Sequence, residues 1–525
     1  MEMILSSQQW LLLLPPVLIP VLLFSYLYTI LWLRPERLRQ KLRSQGVKGP
    51  KPSFLFGNIP EMRRIQKELA TSAQEQEAGS ADRFSSNYVA TLFPYLIHWS
   101  RVYGSIYLYA TGSIQALNVT DPDMVKELAS CKSLDLGKPY HLQKDRGALL
   151  GMGILTANGD LWVHQRKVIA PEFFMDKVKG MVNLMIDAAM SMLNLWEDKI
   201  EREGSRAEIM VDEFLRNFSA DVISRASFGS SFTEGKEIFY KIRQLQKAMG
   251  KQSMLIGVPG SRYLPTKSNR EIWDLGSSIR TLVLNIAKKH DHDSVTTSPD
   301  NFLLHSIIEG SKAASFASCT PEDFIVDNCK NIYFAGHETT SSTAAWCLML
   351  LASHPEWQSR VRVEVLDICH GEPLDFDMLR KFKTLTMVIQ ETLRLYPPAS
   401  FVTREALQDI NLGGIDIPRG TNIRVPIALA HRDPSVWGAN ADSFDPGRFA
   451  GGIARACKPH HMYMPFGIGP RTCAGQNLAM VELKVVLSLL LSRFEFSLSP
   501  SYVHRPAFRL TVEPGEGVPL VLKKL

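Results

Sequence analysis

Cys473 stands in the run Phe466-Gly467-Ile468-Gly469-Pro470-Arg471-Thr472-Cys473-Ala474-Gly475, just ahead of an apolar helical stretch from Leu478 to Leu491. A cysteine at the mouth of a helix, behind a glycine-rich turn and two residues after an arginine, meets backbone N–H groups and positive charge that favour its thiolate. Thiolate is the form that binds metal. A lone cysteine is more often a small buried hydrophobe, so the assignment leans on the pattern around it. A second group, Ala335-Gly336-His337-Glu338-Thr339-Thr340, sets small and polar residues inside an apolar segment. Glycine there costs a helix about 1 kcal/mol against alanine, and threonine hydroxyls compete for backbone carbonyls, so a local distortion or cavity is expected. Glu391 and Arg394, at i and i+3, share a helix face and can pair, as any surface salt bridge would. Trp162 and Arg166, four apart, read by themselves as a packing residue and a solvated charge.

These residues need elements to hold them. Thr320-Pro321-Glu322-Asp323 is a helix start: a threonine cap, proline at the first helical position, acids at the positive end of the dipole. Apolar character then persists from Phe324 to about Leu351, a rod of roughly 45 Å that would cross a whole domain. Apolar residues at three- and four-residue intervals predict helices over Met181 to Trp196, Lys236 to Met249 and Trp273 to Lys289. Ser105 to Tyr109 and Ile114 to Val119 alternate as a hairpin of strands. Gln66 to Asn87 is polar and predicts a mobile surface excursion. The fold class is mainly α with minor β.

Composition narrows the function. With 45% hydrophobic and 21% charged residues the chain can bury a large core, and after residue 90 no linker composition or repeat divides it. The net charge of +6 is modest, and no Lys/Arg-rich run is interleaved with aromatics, which argues against nucleic-acid binding. Seven scattered cysteines without a CxxC pair argue against a disulfide framework or a zinc site. From Ile4 to Leu33 there is no charge, and Trp10 to Leu33 is long enough to span a hydrocarbon core of about 30 Å. A cleaved signal peptide would end in a small-residue site, whereas this segment ends in Ile30-Leu31-Trp32-Leu33. Arg34, Arg37, Arg39, Lys41, Arg43, Lys48 and Lys51 follow, so the positive-inside rule puts the remaining chain in the cytosol. Gly49-Pro50-Lys51-Pro52 predicts a stiff, extended exit. The expected organisation is an anchor over 1–33, a basic, proline-rich linker over 34–60 and one catalytic domain over 61–525.

The run ending in Gly475 resembles the FxxGxRxCxG signature of the cytochrome P-450 superfamily at every fixed position: Phe466, Gly469, Arg471, Cys473 and Gly475. Three other stretches resemble superfamily motifs in the right order. Glu391 to Arg394 is similar to ExxR, Ala335 to Thr340 to the oxygen-binding (A/G)Gx(D/E)T(T/S), and Trp162 with Arg166 to WxxxR. The PERF sequence appears as Pro446-Gly447-Arg448-Phe449, without its acid. The resemblance implies a haem-thiolate monooxygenase fold, with Cys473 as axial ligand of haem b. It implies that Trp162, Arg166, Arg404 and Arg471 serve the haem propionates, and that Glu391, Arg394 and Arg448 form a buried ion network. Thr339 is implied as the hydroxyl and Glu338 as the solvent-linked acid that supply protons during oxygen reduction. Ala335 and the segment Ala399, Ser400, Phe401, Val402 are implied to line the substrate pocket, along with Leu136 to Leu155, Met254 to Pro259 and the turn after Leu510.

No GxGxxG follows a strand, so the chain is expected to carry no flavin or nicotinamide domain. The resemblance implies the membrane-bound NADPH–cytochrome P-450 reductase, with FAD and FMN, as electron donor, steered by Arg455, Lys458 and Lys484. It also implies O2, a small hydrophobic substrate, membrane lipid and a single-pass placement in the endoplasmic reticulum. Val326 to His337, Pro259 to Lys267 and Leu498 to His504 are similar to a plant group that includes the gibberellin and ent-kaurenoid oxidases of the ELONGATED UPPERMOST INTERNODE type. Other activities open to such a chain are pentacyclic triterpenoid or cytokinin oxidation, haem-thiolate isomerisation or dehydration, and a non-enzymatic haem sensor or carrier.

Overall fold

The first element is a helix, α1 (Leu18–Arg43), whose apolar part is almost entirely unburied; among the described residues it alone is long and apolar enough to cross a membrane. The computed structural model describes residues 18–77, 87–229, 232–252, 256–293, 303–313, 316 and 319–525. The basic residues after Leu33 continue the same helix. Arg39 turns back to Glu36 (2.8 Å) and to Gln115 of the domain (3.0 Å), joining the end of α1 to the sheet. Lys48 accepts from the Leu108 N–H (2.8 Å), and a Cβ on Gly49 would stand 1.8 Å from the Leu108 carbonyl oxygen, so the proline-flanked exit lies directly on a strand.

The expected excursion after Gln66 is instead helix as far as Glu77. Ile59, Met62 and Ile65 form a buried stripe that fixes α2 (Ile59–Glu77) on the domain, and residues 78–86 lie outside the described ones. The hairpin forms as expected, β1 (Ile106–Thr111) against β2 (Ile114–Val119). With β3 (Leu136–Gly137), β4 (Phe401–Ala406) and β5 (Asn422–Pro426) it makes a five-stranded sheet of order β1-β2-β5-β4-β3, in which only β2 and β5 run parallel.

Helices make up most of the rest: α3 (Gly159–Ile169), α4 (Val182–Glu203), α5 (Val211–Phe228), α6 (Phe232–Lys251), α7 (Lys267–Asp293), α8 (Pro321–Ser353), α9 (Lys383–Leu395) and α10 (Gln476–Leu491). At 33 residues α8 is about 50 Å long. Its cap is as predicted, the Thr320 hydroxyl accepting from the Asp323 N–H at 3.1 Å. A helix apolar nearly all round has to be buried, and α8 runs through the core against α5, α7, α9 and α10. Gly336 lets α5 approach: a Cβ there would meet Ile223 at 2.6 Å, and the Ser219 hydroxyl donates to the Gly336 carbonyl (3.1 Å).

Candidate functional site

The cysteine loop is shaped by two glycines of positive φ, Gly467 and Gly469; a Cβ on Gly469 would lie 2.8 Å from the Ala129 carbonyl oxygen. The Cys473 N–H donates to the Phe466 carbonyl (2.9 Å), and α10 begins just after Gly475. Cys473 keeps exposed surface although Ile468 and Leu478 on either side are buried. Burial raises its thiol pKa, opposed by the Gly475 N–H and by the charge of Arg166. A sulfur that keeps accessible surface is open to a ligand. On α8, Ala335, Gly336 and Thr339 also keep accessible surface while Phe334, His337, Glu338 and Thr340 are buried. These three lie at i, i+1 and i+4, one side of the helix.

A cluster of cations gathers beside the loop. Arg404 on β4 donates to the Ile468 carbonyl (3.0 Å) and Arg471 to Ala157 O and Asn158 Oδ1 (both 2.9 Å). Arg166 donates to Thr472 O (2.9 Å), and the Arg471 guanidinium lies 4.3 Å over the Trp162 ring. Burial pushes Arg404 down to about 10 and, with Arg404 as neighbour, Arg471 down to about 9. Lys138 is held well below the usual lysine range by burial and by the charges of Arg404 and Arg471. Among the described residues no carboxylate stands within 4.0 Å of these four side chains. Buried charge of one sign needs a counter-charge. Two propionates meet that need and the cysteine sulfur offers an axial ligand, so the donor set fits haem b. Lys138 is invisible to motif reading, because its only signal is proximity to arginines far away in sequence.

Glu391 and Arg394 are both fully buried and pair bidentately, Nε to Oε2 and Nη2 to Oε1, each at 2.7 Å. Arg394 spends its remaining donors on the His431, Ala441 and Ser443 carbonyls. Arg448 comes to 3.7 Å of Glu391 without a hydrogen bond, and donates instead to Trp437 O (2.7 Å) and Asn440 O (3.1 Å). The motif's acid is absent at Gly447, and Glu391 Oε1 also accepts from the Asp445 N–H (2.9 Å).

The acid of α8 has no direct exposure: Glu338 is fully buried, and its Oε2 accepts from Arg243 Nη1 of α6 at 3.1 Å. The same arginine pairs bidentately with Glu513 (2.5 and 3.0 Å), which also meets Arg509. Glu338 Oε1 has no hydrogen-bond partner, and His337 beside it is held neutral, its pKa pushed down to about 3 by burial and then by Arg216 and Arg243. The Thr339 hydroxyl donates to the Ala335 carbonyl at 2.7 Å, back-bonding within the helix.

The polar residues of Val326 to His337 have a purpose the sequence does not disclose. Asp327, Asn328 and Asn331 accept from the Met152, Ile154 and Leu155 N–H groups (2.7, 2.9 and 3.0 Å), clamping the loop ahead of α3 onto α8. Gly151 has positive φ, and a Cβ there would lie 2.1 Å from the Asp327 carboxylate. Of the four expected pocket residues after α9, Ala399 and Phe401 keep accessible surface whereas Ser400 and Val402 are packed into the sheet. Phe401 joins Phe93 and Phe508, the ring centroids 5.2 and 6.3 Å away. Met254 lies outside the described residues. On the cysteine side Arg455 and Lys458 are exposed, but Lys484 is half-buried and donates to the Leu379 carbonyl (3.0 Å), so it is no free steering charge.

Residues 88–515 match the cytochrome P450 family. Three rice (Oryza sativa subsp. japonica) proteins are similar along their whole length. Cytochrome P450 714C2 is 81% identical over 520 residues, covering 99% of this chain and 99% of that protein. Cytochrome P450 714C3 is 54% identical (97% and 98% covered) and Cytochrome P450 714C1 52% identical (97% of each). With the Cys473 loop, an uncompensated cation cluster and a buried bidentate Glu–Arg pair in one fold, and with this match across the domain, the chain belongs to the cytochrome P-450 family and is a haem-dependent monooxygenase, an oxidoreductase.

Proposed function

We propose that this monooxygenase inserts one oxygen atom from O2 into a C–H or C=C bond of a terpenoid, most specifically a gibberellin or ent-kaurenoid diterpenoid, with electrons from NADPH. The single observation that carries the haem reading is the set of Lys138, Arg166, Arg404 and Arg471, four cations without a carboxylate beside the Cys473 loop. Cys473 would ligate the iron, the arginines and the lysine would hold the propionates, and Trp162 would support Arg471 from beneath. Haem bound through a thiolate supplies the one-electron and oxygen chemistry. Glu338 would accept and return protons at Oε1, the oxygen left free by Arg243, and the Thr339 hydroxyl would donate on leaving the Ala335 carbonyl. Phe93, Phe401 and Phe508 would exclude water and bury the hydrocarbon body of the substrate.

Electrons would come from NADPH–cytochrome P-450 reductase, through its FAD and FMN, docking near Arg455 and Lys458. α1 would hold the chain in the endoplasmic reticulum membrane as a single pass, with the domain cytosolic. Anchor, linker and haem domain would divide at residues 33 and 60, with the linker folded onto the domain. The test is turnover: microsomes holding the protein and reductase are given gibberellins, ent-kaurenoic acid and triterpenes, and products are read by mass spectrometry. Oxidised diterpenoid formed with NADPH consumption is the expected result. Oxidation of triterpenes alone overturns the substrate class, and conversion without NADPH overturns the monooxygenase chemistry.

A further inference from the structure

Arg424 is a cation that belongs neither to the cluster beside the cysteine loop nor to the Glu391 network. It lies in the middle of β5, half-buried, opposite Thr403 of β4 and so next to the strand position of Arg404. Its Nη1 donates to the Tyr109 hydroxyl (2.7 Å), its Nε is buried without a hydrogen-bond partner, and its guanidinium carbon lies 4.0 Å over the Phe401 ring. Among the described residues no carboxylate is within 4.0 Å of it. Buried arginines elsewhere are compensated: Arg39 meets Glu36 and Arg432 meets Asp442, while Arg362 fills its fork with the Leu491 and Phe494 carbonyls. Arg424 has neither kind of partner.

On the same face of β4, two residues on from Thr403, Glu405 accepts from the Tyr140 N–H (2.7 Å) and makes no ion pair with Arg424. Tyr95, Tyr107 and Tyr109 stand around it as phenols, and the ionisation of Tyr95 and Tyr107 is disfavoured by burial. His141 is held neutral, pushed down to about 3 by burial and then by Arg424 and Arg146. Burying such a charge costs free energy unless something answers it. Tyr109 accepts from Arg424, so its own hydroxyl proton remains for another oxygen. Phe401, under the guanidinium, belongs to the aromatic wall with Phe93 and Phe508.

We infer that Arg424, with Tyr109, binds a carboxylate carried by the substrate, whose hydrocarbon body lies against Phe401. The enzyme therefore selects apolar carboxylic acids over their neutral counterparts. A guanidinium can meet a carboxylate through charge-assisted hydrogen bonds, and a neutral ester or alcohol loses the charge and keeps at most one uncharged bond. This inference rests on the reading of the Phe401 wall as the substrate site.

The test is optical titration of the full-length, haem-loaded protein in phosphatidylcholine nanodiscs. The probes are ent-kaurenoic acid and its methyl ester, with dodecanoic acid and its methyl ester as a second pair. The wild type is expected to bind each acid about 10- to 100-fold more tightly than its ester, the span of a charged hydrogen bond. Arg424→Gln should abolish that preference and leave the ester Kd within about twofold, since a contact only the carboxylate makes has been removed. Arg424→Lys should keep part of it. Tyr109→Phe should weaken only the acid, by about tenfold or more, as one hydrogen bond to a charged group is lost. An unchanged acid Kd in Arg424→Gln, or a wild type that prefers the esters, overturns the inference. If Arg424→Gln takes up no haem, the lysine and phenylalanine variants decide it by the same comparison. If neither diterpenoid shifts the spectrum, the diterpenoid reading falls, and the dodecanoate pair still decides Arg424.

Discussion

Glu482, on α10, is 1% exposed, and its Oε1 has no hydrogen-bond partner. Burial raises its carboxyl from 4.5 to about 8, with the Ser219 hydroxyl only partly opposing. The folded protein therefore holds it as a neutral acid at pH 7, whereas the unfolded chain ionises it. Below pH 4.5 the two states bind the proton equally and the group costs nothing; from there up to about 8 stability is lost as pH rises, because only the unfolded state releases the proton. Each pH unit in that window costs about 1.4 kcal/mol. Glu482→Gln keeps shape and neutrality but cannot ionise. It should be more stable than wild type by about 1.4 kcal/mol at pH 5.5 and about 3 kcal/mol at pH 7. Urea unfolding followed by tryptophan fluorescence in detergent micelles at the two pH values reads the gap. A gap that stays flat or shrinks between them refutes the argument that Glu482 is buried neutral.

Thr339→Ala should still consume NADPH but release more peroxide. Product per NADPH should fall, toward the roughly 10²-fold loss that removing a positioned proton donor costs. Unchanged coupling would leave the Thr339 hydroxyl with only its bond to the Ala335 carbonyl. Ala399→Phe adds a ring to a residue whose neighbours Pro398 and Ser400 are buried while it is exposed. Product position should shift, or turnover stop, with the carbonyl spectrum intact; unaltered regiochemistry would show that Ala399 does not face the substrate.

Much of the fold is legible in short-range signals along the chain. The Thr320 cap, the three- and four-residue apolar spacing of α4, α6 and α7, and the alternation of β1 and β2 are local physics, and each produces the expected element. The stretch after Gln66 misleads because its polar composition hides the stripe of Ile59, Met62 and Ile65 just ahead of it. In the site, Cys473, Glu391 and Arg394 stand in compact motifs that reveal them. Arg243 is different: it reaches Glu338 and Glu513 across 95 and 270 positions, so no local pattern could announce it. Lys138 and Arg424 are likewise defined by what lies near them in space, or by what does not. The polar residues of α8 look like a family fingerprint, and only the loop around Gly151 shows them to be a clamp.

The central claim is that the Cys473 sulfur binds the iron of a haem. The reduced carbonyl spectrum measures it most directly, because a thiolate opposite carbon monoxide gives an absorbance band that a neutral ligand does not. Wild-type protein should show the thiolate-type band, and Cys473→Ser and Cys473→Ala should lose it entirely. Persistence of that band in either variant would contradict the claim.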